Sequence, residues 1–490
     1  MRRRMSLVGA LLILAFSLVF LQLNNLQIVK ASKLANAPGN NQATTRAFSL
    51  PRGAILTADG QVMAETVPAN NVYHYQRIYP SGDLYSDLTG YYSVIYGASG
   101  LEYQYNKYLQ AQVAPITSFS QLFSNHYQTD SVVTTINSQL QKTAYQALGS
   151  LKGAVVAIDP STGSILAMAS SPTFQPAPLA SPNGGTEIAA WKADISNPSQ
   201  PLLNRAISRA YPPGSTFKII TTSAIFDHKP SLATVNFPPV SQIPLPETTH
   251  KLHNYAYEVC GGELPVLLAV SCDTGFAQIG LKLGAGNLAQ EAASFGFNQV
   301  PPIDLAGAAA STFPPVSFFH QNLPQVAFSA IGQGNVQATA LQMALVGAGI
   351  ANNGIIMTPH LLDRVVSSQD STIKQYAPTA WKVATSPATA AKVAQLMVGV
   401  VRSGTAQGIA IPGVTIAAKT GTAQTTLTAN STITGASDNW MVAFAPVGDP
   451  KIAICVVVPK QAGLSANPTG AQYAGPIVKA MIAAALGVKG

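Results

Sequence analysis

Beyond residue 150, apolar segments alternate with short polar turns. Residues 152–168 predict two buried strands joined by an Asp-Pro-x-Thr-Gly turn, because both apolar stretches have the length of a strand and the turn residues favour a chain reversal. The same pattern predicts strands at 413–422 and 439–459 and helices around Ser215 and Ser271, at 337–352 and at 474–486. This mixture indicates an α+β domain over residues 151–490, with an antiparallel sheet flanked by helices.

A smaller module precedes that domain over residues 48–150. Its pattern predicts a strand, a tight turn at Asp59-Gly60 and a return strand through residues 62–64. Residues 97–102 open an amphipathic helix, and residues 138–148 form a second helix. None of these segments carries a catalytic constellation, so this module is predicted to be a non-catalytic pedestal.

The N-terminus predicts a membrane anchor. Three arginines at residues 2–4 precede an uncharged apolar run at residues 5–23, which is long enough to cross most of a hydrocarbon layer about 30 Å thick. A cleaved signal peptide is the competing interpretation, since residues 35–37 read Ala-Asn-Ala. That site lies far beyond the run, and the run exceeds the usual signal core. We therefore expect a cytoplasmic tail at 1–4, an uncleaved single-pass anchor, a polar stalk at 24–47 and an extracytoplasmic remainder.

Composition excludes several classes of protein. The chain has 490 residues, of which 47% are hydrophobic and 10% charged, so it buries a large core and is not disordered. The net charge of +8 comes from basic residues that are scattered rather than clustered with aromatic residues. This distribution favours an anionic lipid or wall polymer over nucleic acid.

The chain has three cysteines, Cys260, Cys272 and Cys455. They are too few for a dense disulfide scaffold and lack the paired spacing of a zinc site. Outside the cell a Cys260–Cys272 disulfide is permitted, and two buried thiols fit the sequence equally well.

The first candidate for chemistry is Ser215 with Lys218. A Pro-Pro-Gly turn at 212–214 precedes an apolar-rich helix that opens at Ser215, so the two side chains share one helical face. The unpaired backbone N–H groups and positive dipole at a helix start suit a hydroxyl that becomes an alkoxide. Lys218 acts as a base only where burial or a nearby positive charge keeps it neutral. The alternative is a capping serine followed by a surface lysine.

Two further polar clusters interrupt apolar stretches. Ser271-Cys272-Asp273 lies between a predicted helix at 264–270 and an apolar run at 276–283, where it either relays a proton or caps a helix. The second cluster, Lys419-Thr420-Gly421-Thr422, is predicted to end the strand at 413–418. The alternative there is a strand end with a solvated lysine.

In this order the motifs S-x-x-K, S-x-D and K-T-G-T resemble those of penicillin-binding proteins and serine β-lactamases. Over nearly its full length the chain is similar to class B penicillin-binding proteins, the D,D-transpeptidases of peptidoglycan synthesis. Further segments with the family's form are Arg52-Gly53, Asp59-Gly60, Gly100-Leu101-Glu102, residues 134–137 with 140–141, Asn204-Arg205, Gly332-Gln333-Gly334, residues 351–354, Asn439-Trp440 and residues 444–446. One position departs from the pattern, because the family usually has asparagine where this chain has Asp273.

The resemblance implies a role for each matching residue. Ser215 resembles the nucleophile that attacks the bond between two D-alanines of a stem peptide, and Lys218 resembles its general base. Ser271 resembles the group that passes a proton to the leaving amine, and Asp273 occupies the position that holds the lysine. Lys419 supplies positive charge.

The resemblance also implies where the substrate binds. Thr420, Gly421 and Thr422 belong to the strand that, with Lys419, receives the substrate carboxylate. The backbone N–H groups of Ser215 and Thr422 are expected to form an oxyanion hole, in which each donor is typically worth about 3 kcal/mol. No metal or cofactor is implied. The expected ligands are stem peptides and β-lactams, and the expected protein partners are a membrane-embedded glycosyltransferase and other cell-wall synthesis proteins.

Three other functions remain open from the sequence. A β-lactam-hydrolysing relative needs a residue that activates water, and Glu291 is the one glutamate after Ser271. A D,D-carboxypeptidase has the same motifs. A catalytically impaired scaffold is the non-enzymatic alternative, which the intact Ser215, Lys218 and Lys419 argue against and Asp273 leaves open.

Overall fold

A computed structural model describes residues 2–26, 30, 42–113, 127–424, 437–465 and 467–489. The first helix is Arg2–Asn24, and within it Met5–Asn24 is apolar, unburied by the rest of the protein and about 30 Å long. By length and composition it meets the requirement for one membrane span. Most of the predicted stalk, at 27–29 and 31–41, lies outside the described residues, and so does the Ala-Asn-Ala site. A short helix, Gln42–Phe48, follows.

The module that contains most of residues 48–150 is built on a six-stranded sheet. In spatial order its strands are Thr372–Gln375, Leu362–Val366, Ser131–Thr134, Ile55–Leu56, Val62–Pro68 and Tyr75–Ile78. The predicted hairpin around Asp59-Gly60 is confirmed by antiparallel pairing of the fourth and fifth strands. Two strands of this sheet come from residues 362–375, far beyond the predicted domain boundary near 150. That boundary stays a prediction.

Buried ion pairs join three segments of this module. The Glu102 carboxylate is fully buried and accepts hydrogen bonds from Arg52 Nε at 2.7 Å and Arg77 Nε at 2.6 Å. Arg52 and Glu102 belong to two of the segments that carry the family resemblance. A buried charge is retained only where it is paired in this way.

The larger domain is organised around a five-stranded antiparallel sheet. In spatial order its strands are Ile165–Ser171, Gly153–Ile158, Ile452–Val458, Ser437–Ala445 and Ala417–Gln424. Every residue of the central strand Ile452–Val458 is buried. Since successive side chains of a strand point to opposite faces, both faces of the sheet are covered. The helices Ala340–Ala351 and Gly475–Leu486 supply part of that cover.

The remaining α-helices within the described residues are Ser86–Thr89, Gly100–Gln104, Asn106–Leu109, Ser138–Leu148, Pro176–Leu179, Gly184–Ser196, Arg205–Ser208, Lys218–His228, Leu264–Ala269, Asp273–Leu283, Ala285–Ser294, Leu323–Ala330, Pro387–Ser403 and Gly470–Tyr473. Short two-stranded pairings join Phe237–Val240 to Cys260–Gly262, Gln242–Pro244 to Lys251–His253, Ile355–Met357 to Ala380–Val383, Tyr92–Ser93 to Gly97–Ala98 and Gln112–Val113 to Tyr127–Gln128. The predicted α+β arrangement of an antiparallel sheet with flanking helices is confirmed.

One predicted strand begins at the wrong residue. The strand predicted from residue 413 starts at Ala417, because Gly413 has a φ of +77° and Ile411 pairs with Val414 in a tight turn. The segment Lys419-Thr420-Gly421-Thr422 therefore lies inside the strand Ala417–Gln424 and does not end it. This strand is at the edge of the five-stranded sheet, so one of its sides is free to face a ligand.

Candidate active site

Ser215 lies at the junction of a turn and a helix. Gly214–Phe217 is a short 3-10 helix that leads directly into the α-helix Lys218–His228. Gly214 has a φ of +53°, and a Cβ atom there would lie 3.1 Å from Ala423. The glycine thus permits both the turn and the close approach of the nucleophile to the edge strand.

Lys218 is fully buried and points at the S-x-D motif. Its Nζ donates hydrogen bonds at 2.7 Å to the Ser271 carbonyl oxygen and at 2.7 Å to Asp273 Oδ1, and lies 3.4 Å from Ser271 Oγ. Ser215 Oγ donates to the same Asp273 oxygen at 3.4 Å. Within this described part of the chain, Ser215 Oγ and Lys218 Nζ are not hydrogen-bonded directly to each other. The Asp273 carboxylate therefore bridges the nucleophile and the amine.

Ser271 is held in a conformation that is uncommon for its residue type. Its φ is +61°, and it lies between the helices Leu264–Ala269 and Asp273–Leu283. This backbone directs the Ser271 carbonyl oxygen to Lys218, while Ser271 Oγ accepts a hydrogen bond from Lys419 Nζ at 2.8 Å. The hydroxyl is thus placed between two amines.

The electrostatics of the two lysines follow from burial. Burial lowers the pKa of Lys218, and the charge and hydrogen bond of Asp273 act in the opposite direction. Burial and the neighbouring Lys218 lower the pKa of Lys419 well below its ordinary value, again opposed by Asp273. The net direction for Lys218 favours a neutral amine, which is what a general base requires.

The edge strand packs directly on the nucleophile turn. A Cβ atom on Gly421 would lie 2.8 Å from the Pro213 carbonyl oxygen, so only glycine allows this contact. Thr420 Oγ1 is 2.6 Å from Thr405 Oγ1, and Thr422 Oγ1 accepts a hydrogen bond from the Gly470 N–H at 3.3 Å. Thr405 and Gly470 carried no signal in the sequence, because each reaches the strand from a distant segment of the chain.

These elements enclose a cleft of about 1150 Å³. The predicted residues that line it are Ser215, Ser271, Asp273, Thr420 and Thr422. Lys218 and Lys419 lie just beneath its surface, both fully buried. All eight predicted site residues are therefore brought together, although they are separated by more than 200 positions in the chain.

One wall of the cleft was not predicted. It includes the strand Lys251–His253, which pairs with Gln242–Pro244, and Cys260, and a disulfide links Cys260 to Cys272 of the S-x-D motif. Sequence reasoning left disulfide and free thiols open, and the structure has the disulfide. This cysteine pair was the one sequence signal that the wall existed.

The chain matches two families of domains. The penicillin binding protein transpeptidase domain matches residues 153–483, and the penicillin binding protein A dimerisation domain matches residues 52–146. Among curated relatives, the peptidoglycan D,D-transpeptidase PbpA of Mycobacterium tuberculosis is 37% identical over 499 residues, covering 99% of this chain and 98% of the relative. PbpA of Mycolicibacterium smegmatis is 37% identical over 476 residues, which is 94% of each chain.

Solved structures agree with these relatives. The ceftriaxone acyl-enzyme complex of M. tuberculosis penicillin-binding protein A has a TM-score of 0.81 and 35% identity, covering 90% of this chain and all of that one. The penicillin G acyl-enzyme complex of the same protein has a TM-score of 0.79 and 34% identity, covering 89% of this chain and 99% of that one. These matches confirm the fold and the resemblance that the motifs predicted. The chain belongs to the penicillin-binding protein family of peptidoglycan D,D-transpeptidases.

Proposed function

We propose that this chain crosslinks peptidoglycan stem peptides by a serine mechanism and is acylated by β-lactams at Ser215. The observation that carries the proposal is the convergence of Ser215, Lys218, Ser271 and Lys419 on one cleft, with both lysines buried. The relatives that share most of the chain's length are D,D-transpeptidases by name, and the matching structures include penicillin acyl-enzymes.

The first half-reaction forms an ester. Ser215 Oγ attacks the carbonyl carbon between the two D-alanines while Lys218, in its neutral form, takes the hydroxyl proton. The C–N bond then breaks, and the leaving amine receives a proton through Ser271 Oγ, which lies 3.4 Å from Lys218 Nζ. The terminal D-alanine departs and the penultimate one stays esterified to the serine. In the second half-reaction an amine of a neighbouring strand attacks that ester and restores the Ser215 hydroxyl.

Substrate binding is proposed at the edge strand. Lys419, together with Thr420 and Thr422, suits the carboxylate of the terminal D-alanine, because an incoming negative charge favours the ammonium form of the buried lysine. The Ser215 and Thr422 backbone N–H groups are proposed as the oxyanion donors, because the Gly214 contact brings the serine turn beside the strand.

Glu291, the candidate base of the hydrolase alternative, does not lie at Ser215. Glu291 pairs with His228 at 3.0 Å. His228 ends the helix Lys218–His228, about 15 Å along the axis from its first residue. Glu291 therefore lies too far from Ser215 to direct a water at an acyl-enzyme.

We further propose that the apolar N-terminal helix anchors the chain with residues 1–4 in the cytoplasm and the cleft outside the cell. The support is the arginine triplet before the apolar run. A membrane-embedded glycosyltransferase and other cell-wall synthesis proteins are proposed as partners from the family resemblance alone.

Mass spectrometry of penicillin-treated protein tests the main proposal. We expect one adduct on the peptide that contains Ser215, persisting for minutes or longer, and none in Ser215→Ala. Absence of an adduct in the wild-type chain would favour the scaffold alternative. An adduct that turns over within seconds would favour a hydrolase.

A further inference from the structure

Asn254 joins the unpredicted cleft wall to the S-x-D motif. It is buried, with 3% of its surface exposed, and all its side-chain hydrogen-bonding groups face protein. Its Nδ2 donates at 2.8 Å to the Val240 carbonyl oxygen and at 2.8 Å to the Glu258 carbonyl oxygen, on the segments before and after the wall strand Lys251–His253. Its Oδ1 accepts from the Thr274 backbone N–H at 2.8 Å.

The last of these bonds caps the helix Asp273–Leu283. The residue before this helix, Cys272, provides no side-chain cap, so the first-turn N–H of Thr274 needs an acceptor from elsewhere. Asn254 supplies it from 20 positions earlier in the chain. The cap therefore depends on the position of the cleft wall, and the start of the helix is fixed to that wall.

The capped turn carries the residues that touch the nucleophile and the base. Asp273 precedes Thr274 directly and contacts both Ser215 and Lys218. Ser271 lies two residues further back with a φ of +61°, a conformation that persists only where its surroundings hold it. On its N-terminal side it is held by the Ser271 N–H to Leu268 carbonyl bond of 3.2 Å, and beyond Asp273 the chain is held by Asn254.

We propose that Asn254 is a positioning residue of the active site, which holds Ser271 and Asp273 against Lys218 by capping the helix Asp273–Leu283 from the cleft wall. This inference rests on the proposed acylation of Ser215. The Cys260–Cys272 disulfide is a second link between the same wall and the same motif.

The charged groups around the site give the inference a measurable signature. Asp273 and Lys419 face Lys218, and the Phe276 ring lies 5.2 Å from Lys218 Nζ. On the wall, the chain neighbours of Asn254 with titratable side chains are Lys251, His253, Tyr255, Tyr257 and Glu258. If the cap is lost, Asp273 moves away from Lys218 and no longer favours the ammonium form. The pH at which acylation fails on the acidic side should then fall.

The test uses the full-length chain and compares Asn254→Ala with the wild type and with Asn298→Ala. Asn298 is a matched control, since its side chain also bridges two segments, through hydrogen bonds of 3.0 Å to and from the Phe313 backbone, away from the cleft. Acylation rates with a fluorescent penicillin are measured from pH 5 to 9, together with Tm. We expect Asn254→Ala to be acylated at least about tenfold more slowly than the wild type at high pH. The acidic limb of its pH–rate profile, where acylation slows, should lie at lower pH than in the wild type. Asn298→Ala should have a lower Tm than the wild type, while its acylation rate and the pH of its acidic limb stay unchanged.

A second variant separates the cap from general destabilisation. Asn254→Asp keeps an acceptor for the Thr274 N–H, loses the two hydrogen bonds that Nδ2 donates to the wall, and adds a negative charge. Its acidic limb should therefore stay at the wild-type pH or move higher. If the acidic limb of Asn254→Asp moves to lower pH, as expected for Asn254→Ala, the proposed cap is wrong. If Asn254→Ala has the same acidic limb and the same acylation rate as Asn298→Ala, the positioning role is wrong. If Asn254→Ala does not fold, Asn254→Asp alone decides. Acylation of the wild type at Ser215 is read in the same assay, so failure of the proposed function is recognised separately.

Discussion

Replacing Asp273 by asparagine should extend the activity of Ser215 to lower pH. The carboxylate is 2.7 Å from Lys218 Nζ, with the lysine side chain fully buried and the aspartate side chain 15% exposed. An ionised carboxylate at this distance favours the ammonium, which cannot accept a proton from Ser215. Asparagine retains an oxygen acceptor for the lysine without the charge. Asp273→Asn should therefore remove the negative charge that raises the pKa of Lys218.

The magnitude follows from the contact. A charge in direct contact with a poorly hydrated partner is typically worth at least about 1.4 kcal/mol between the two protonation states, which is a factor of ten in the neutral fraction. We expect acylation on the acidic limb to be about tenfold faster in Asp273→Asn.

The assay is acylation by a chromogenic β-lactam from pH 5 to 9. Asp449→Asn serves as the charge control, because Asp449 is 77% exposed and pairs only with Lys451 among the described ion pairs. The limb of Asp273→Asn should move to lower pH, while that of Asp449→Asn should match the wild type. An unmoved limb, or one at higher pH, would refute the reasoning, since Asp273 would then act as a neutral group or be required as a carboxylate.

Two further predictions concern the anchor and the pedestal. N-terminal sequencing of membrane-extracted protein should find residues 1–4 still present, and protease added to intact spheroplasts should remove all but the N-terminal segment; a chain that starts after Ala37 would contradict the anchor. Glu102→Gln should lower the free energy of unfolding by about 3–5 kcal/mol, because it leaves the buried Arg52 and Arg77 guanidinium groups without their carboxylate. Denaturant titration checks this, and a loss below about 1 kcal/mol would mean that water reaches the two arginines.

Several elements were determined by local sequence. The helix Ser138–Leu148 has the predicted bounds, since its apolar positions recur with helical period and Asn137 Oδ1 caps it by accepting from the Leu140 N–H at 2.9 Å. The strands Gly153–Ile158 and Ile165–Ser171 followed from apolar runs on either side of a turn. The motifs around Ser215 and Lys419 were recognised because the residues of each motif lie within a few positions of one another in the chain.

Tertiary structure decided what depends on contacts between distant segments. The strand containing Lys419 starts four residues later than its apolar run, because the turn at Gly413 and pairing with Ser437–Ala445 set its bounds. Residues 362–375 join the sheet of the first module, which no periodicity reveals. The sequence placed a carboxylate at position 273 without showing that it bridges Ser215 and Lys218.

The cleft wall shows why contacts between distant segments could not be predicted from the sequence. Cys260 and Cys272 are 12 positions apart, and sequence left their pairing open until the fold brought their Cα atoms to 5.8 Å. Asn254 lies in a stretch with no helical or strand period, and its three side-chain hydrogen bonds reach residues 240, 258 and 274. A hydrophobic pattern records which side of a segment is buried, and the identity of its partner is fixed only when the segments pack.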